Sequence, residues 1–135
     1  MENFFIAVFS VCCGTIGFLI AQFWFQPILK YREIKGQIIS DLIFYGNAIN
    51  AKVPNEEMKQ RVLDRMVANR VRSAELAACF YKFPKFYRKY LTLNGERPDF
   101  ACGELIGLSN TNELDTAQAR IEKIQTQLKI DPKVV

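Results

Sequence analysis

The chain reads as an all-α protein in which a single N-terminal transmembrane helix precedes a small cytoplasmic helical bundle of three to four helices. Three observations point there. No charged side chain occurs from Asn3 to Leu29, whereas charge is frequent from Lys30 onward. Beyond Lys30 the apolar residues recur at steps of three and four, the period of one helix face. No stretch alternates apolar and polar residues as a half-buried strand does, and no internal repeat is visible.

The first element is the run Phe4–Phe25. Its 22 residues, at 1.5 Å rise each, cover about 33 Å, enough for a hydrocarbon core of about 30 Å with slight tilt. Aromatic residues gather at both ends, Phe4 and Phe5 at one and Phe23, Trp24 and Phe25 at the other, as in interfacial belts. A cleaved signal peptide fits poorly. The leader Met1-Glu2-Asn3 has an acid and no basic residue, the apolar run is long, and the bulky segment FWFQP follows it. Lys30, Arg32 and Lys35 lie just after the run and no basic residue lies before it. The positive-inside rule therefore places the C-terminal part in the cytoplasm and the N-terminus outside, a single-pass arrangement in the cell inner membrane. Small residues line one side of the helix: Cys13, Gly17 and Ala21 at steps of four, with Ser10 and Gly14 beside them. Such stripes let helix backbones approach closely in lipid, though small residues are also simply common in membrane helices.

Pro27 ends the span or kinks a helix that continues. The domain boundaries follow: an anchor over 1–27, a helical domain over 28–130 and a C-terminal tail over 131–135. Ile28–Asn50 is the first helix of the domain. Tyr31, Ile34, Ile38, Leu42, Tyr45 and Ile49 form a heptad-like stripe. Leu29, Ile39 and Ile43 widen it, which suits packing in a bundle. Gly36 and Gly46 weaken this helix by about 1 kcal/mol each relative to Ala.

Ala51–Asn55 reads as a turn, and Pro54 or Asn55 opens the next helix. Glu56 and Glu57 then fall in its first turn, where the helix dipole favours acids. That helix runs to about Phe80. Met58, Val62, Met66, Leu76 and Phe80 are its apolar positions, Val67, Val71 and Ala74 lie alongside, and Lys59, Arg61, Arg65, Arg70 and Arg72 cover much of the rest. Pro84 interrupts the segment 80–91, which holds six aromatic and four basic residues. Thr92–Pro98 is a loop with an Asn94-Gly95 turn signal. Asp99 reads as the cap of a short helix, Phe100–Leu108. A last helix, Glu113–Ile130, carries Leu114, Ala117, Ile121, Ile124 and Leu128 on one face, and Asp131-Pro132 stops it.

The residues speak against catalysis. There is no histidine, the commonest general base and metal ligand. No Gly-rich phosphate loop or nucleophile elbow is present. Of four cysteines, Cys12 and Cys13 lie in the apolar run, and Cys79 and Cys102 read as small apolar residues in a reducing compartment. No metal or cofactor is expected, and the chain reads as non-enzymatic.

Charge is uneven. Lys30–Leu91 contains 13 Lys and Arg against six Asp and Glu, while the remainder is slightly acidic. Two basic groups stand out as sites for an anion or lipid: Arg61, Arg65 and Arg72, with Asn69, along one side of the second helix, and Lys82, Lys85, Arg88 and Lys89 among the aromatics. The second group admits three readings: aromatics closing the core while the cations face water, contact with anionic lipid, or binding of a nucleotide or nucleic acid. The leading functional expectation is a membrane-anchored interaction module that forms a homo-oligomer or docks on a membrane-protein partner through its span and cytoplasmic helices. The alternative is a ligand-gated receptor or effector that binds a nucleotide or nucleic acid on its basic-aromatic surface.

Overall fold

The computed structural model describes residues 1–49 and 55–134, and among these every regular element is helical. One long helix starts the chain. Its first part, α1, spans Glu2–Ile20, a single widened turn follows at Ala21–Phe25, and α2 continues over Gln26–Tyr45. This continuous rod is long and apolar enough near its N-terminus to cross a membrane.

The widened turn has a local cause. Pro27 has no N–H to donate, and its ring collides with the carbonyl four residues back, that of Phe23. Taking one extra residue into the turn relieves the collision, and the Gln26 N–H reaches back five residues to the Ala21 carbonyl. Proline thus leaves the helix intact, and the continuation, not the stop, is what forms.

α2 ends at Tyr45, and a 3₁₀ turn covers Gly46–Ile49. The helix expected to reach Asn50 is therefore shorter, with Gly46 at its end. The turn expected at Ala51–Asn55 lies outside the described residues except for Asn55. Asn55 caps α3, Glu56–Lys82, its side chain accepting from the Met58 N–H at 2.8 Å. Phe83 and Pro84 break the chain, and α4 follows over Lys85–Leu93. Pro84 cannot continue α3, but it serves well just ahead of a new helix. The part that follows the apolar run thus has five α-helices among the described residues, against the three to four expected.

Gly95 takes the left-handed φ of 75° that the Asn94-Gly95 turn requires. α5 spans Pro98–Ser109 with Arg97 at its N-cap. Asp99 was expected in the capping position, but Pro98 starts the helix one residue earlier, because its ring already holds a helical φ. Asp99 sits in the first turn and accepts from Arg97 at 3.3 and 3.2 Å. α6 spans Leu114–Leu128 and ends with Lys129 left-handed, the Ile130 N–H closing on the Gln125 carbonyl at 2.8 Å.

One core joins α2 to α6. α3 packs against α2 on one flank and α5 on the other, and α6 packs on α5. Ile34 and Ile38 meet Leu76, Ala101, Leu105, Leu108, Ile124 and Leu128, all at most 1% exposed. Phe83 anchors the α3–α4 corner, edge-on to Tyr31, Phe80 and Tyr87 at 5.5, 5.7 and 5.0 Å. α1 takes no part in this core. Every residue from Phe4 to Phe25 is exposed.

Candidate functional site

α1 is a sheath of apolar side chains with nothing of its own chain against it. Phe4, Phe9, Val11, Phe18 and Phe23 are each at least 64% exposed. Burying that surface is worth about 25 cal/mol per Å², so covering it with something other than water is favourable. Its hydroxyl chemistry fits such a place, because Thr15 Oγ1 donates to the Val11 carbonyl at 2.8 Å. Ser10, Cys13, Gly14, Gly17 and Ala21 are all exposed, and a Cβ at Gly14 or Gly17 would meet no atom within 4 Å.

The α2 stripe has the opposite fate. Tyr31, Ile34, Ile38 and Leu42 are buried against α3 and its neighbours, and Ile49 is buried in the 3₁₀ turn; Tyr45 is half-buried. These side chains hold the domain together and are not free for a partner. Polar contacts lock the same face. Tyr31 donates to Glu96, and Lys35 reaches the other Glu96 oxygen at 3.3 Å. Burial first, and the bond to Glu96 second, raise the Tyr31 pKa far above its ordinary value. Arg72 pairs with Asp41 of α2 at 2.8 Å and with Glu75 at 2.7 Å. Burial pulls its guanidinium pKa down, and those two carboxylates more than compensate.

The basic residues of α3 are not brought together. Arg61 is exposed and tied to Glu57 at 3.1 Å. Arg65 is 2% exposed, its Nη2 donates to the Thr111 carbonyl at 2.8 Å, and Asn69 lies buried one turn on. Desolvation lowers the Arg65 pKa. Arg72 is neutralised by its carboxylates. One arginine is therefore in water, one in the core and one in an ion pair, and they line no common groove.

The segment 80–91 divides cleanly. Phe83, Tyr87 and Leu91 turn inward, whereas Phe86, Tyr90 and Leu93 lie on the outer face of α4, 54, 57 and 77% exposed. Arg88 folds back, donating to the Tyr81 carbonyl and lying 5.2 Å above the Phe80 ring. Lys82, Lys85 and Lys89 are exposed, and none forms an ion pair among the described residues. Phe86 also touches Trp24 edge-on at 5.4 Å, which sets the first turn of α4 beside the end of the apolar run.

α3 has a feature that the sequence reading missed. Its inner face buries Arg65, Asn69 and Ser73 with Leu76 and Cys79. Its outer face exposes Leu63, Val67 and Val71 (53, 61 and 44%), then Ala74, Ala78 and Tyr81. These outer residues step by four, four, three, four and three, a continuous helical stripe. The spacing is present in the sequence, but the larger residues Met58, Met66 and Phe80 drew the inner face elsewhere. Comparison with family models, with curated proteins and with solved structures finds no match to this chain.

Proposed function

We propose that the chain is a membrane-tethered, non-enzymatic interaction module that assembles with a second copy of itself. Residues 1–27 anchor it in the inner membrane, and α2–α6 stand on the cytoplasmic side, where Lys30, Arg32 and Lys35 hold them. The observation that carries this reading is the second apolar stripe of α3, with Leu63, Val67 and Val71 outside while Arg65, Asn69 and Ser73 share the inner face with Leu76 and Cys79. A helix normally turns its apolar stripe to its own core. A stripe turned outward over this length marks an interaction surface.

The tether favours a second copy as the occupant. α3 packs along α2, and α2 is the direct continuation of the span. Two chains in one bilayer hold their α3 stripes at the same height and facing the same solvent. A two-fold axis along the membrane normal then matches like with like, the arrangement of an isologous dimer. Confinement in the bilayer raises the effective concentration of each copy, so even a modest stripe suffices. The small-residue side of α1, Ser10 to Ala21, extends the contact into lipid.

Light scattering of the full chain in detergent and in nanodiscs tests this. The wild type is expected as a dimer or larger. A Val67→Glu, Val71→Glu variant is expected as a monomer with an unchanged melting temperature, because both positions face solvent within one copy. A wild type that is monomeric in both media contradicts the proposal. The nucleotide reading draws less support, since Arg65 and Arg72 are already committed within the fold.

A further inference from the structure

We infer that α4 lies in the headgroup layer of the bilayer as an interfacial helix, its outer stripe dipped toward the acyl chains and its lysines on anionic phosphates. This rests on the reading of residues 1–27 as a membrane anchor and adds a second, surface contact to it.

Three observations converge. First, Phe86, Tyr90 and Leu93 stand at steps of four and three on one face of α4, all more than half exposed, while Tyr87 and Leu91 on the adjoining face hold the helix to the core. The helix is therefore docked to the domain with a second apolar face left over. Second, the place of that face is set by Trp24. The Trp24–Phe86 contact at 5.4 Å joins α4 to the last turn of the apolar run, where tryptophan marks the membrane–water boundary. Third, Lys85 and Lys89 flank the stripe and Lys82 precedes it, all without carboxylate partners among the described residues. The fourth cation, Arg88, is turned back onto Phe80 and Tyr81, which leaves the three lysines as the exposed cations of this segment. An apolar stripe with flanking lysines is the composition of a helix that rests at the boundary of headgroups and acyl chains. Lysines this close to an anionic surface are attracted to it.

A groove of about 690 Å³ opens at the same level between the start of α2 and the end of α3. Gln22, Gln26, Lys30 and Lys82 are among its lining residues. It gives room for headgroups beside the span.

The test uses the full chain reconstituted into vesicles of phosphatidylcholine with and without phosphatidylglycerol. Trp24, the single tryptophan, is replaced (Trp24→Phe), and a reporter is placed at α4 (Tyr90→Trp) or, as a control, on α6 (Gln118→Trp). Gln118 lines a groove beside Leu42 and Gly46, at the end of α2 away from the span. Lipids brominated near the headgroup end of the chain should quench the Tyr90→Trp reporter at least about twofold more than the Gln118→Trp reporter. The difference should grow with phosphatidylglycerol and shrink when Lys82, Lys85 and Lys89 are replaced by glutamate. Equal quenching of the two reporters in chains that float with the vesicles overturns the interfacial helix alone. Chains that fail to float overturn the anchor reading, and with it this one.

Discussion

Tyr31 shows what one buried hydroxyl contributes. It is 2% exposed and donates to Glu96 across the α2–α5 corner. Burial and that bond raise its pKa above the reference of 10.0, so the fold prefers the neutral phenol. Its contribution is complete below pH 10 and is lost as pH rises beyond that value. Tyr31→Phe should therefore cost about 1–3 kcal/mol at neutral pH and flatten the alkaline loss of stability relative to wild type, as denaturant titrations at pH 8 and above can measure. Gly107 offers a sharper test. A Cβ there would collide with Arg120 Nη1, the atom that pairs with Glu104 at 2.9 Å. Gly107→Ala gains up to about 1 kcal/mol of helix propensity but displaces that ion pair. In an Arg120→Ala background the same change should stabilise, and the double-mutant cycle should show clear coupling. These residues were opaque in the sequence for a simple reason: their partners are distant in the chain. Arg65 looks like surface charge until the backbone carbonyl of Thr111, 46 positions away, accepts a hydrogen bond from it.

At the scale of elements, legibility followed the fit between apolar pattern and burial. The α2 stripe at 31, 34, 38 and 42 was readable because its apolar residues recur at steps of three and four and the bundle buries that face, whereas Leu29 and Ile43, expected to widen it, are exposed. The α6 face at Ala117, Ile121, Ile124 and Leu128 was readable likewise. α3 was not, because it has apolar residues on two faces and the bundle buries the more polar one. α4, at nine residues, is too short to display a period, and Pro84 masked its start. Its two faces differ sharply, and substitution should report that. Leu91→Ala, at a position 3% exposed, should cost about 2–4 kcal/mol. Leu93→Ala, at 77% exposed, should stay within about 0.5 kcal/mol in detergent, where no bilayer surface rewards the side chain. Chemical denaturation of both variants decides it.

The whole molecule pairs an exposed apolar helix with a helical domain that has its own core, and one continuous helix joins the two. The sequence announced that division through the absence of charge up to Leu29 and its abundance afterward. What no single sequence carries is how the second part presents itself: which helix face remains outside, and which element meets the end of the apolar run. The fold answers both with α3 and α4. The central claim beneath these surfaces is that α1 is stable in a bilayer and not in water. Flotation of the intact, full-length chain on a density gradient, with an alkaline carbonate wash, measures this most directly. The uncleaved chain is expected to rise with the vesicles and to stay with them through the wash. Recovery of the same chain as a soluble monomer, free of lipid and detergent, would contradict it.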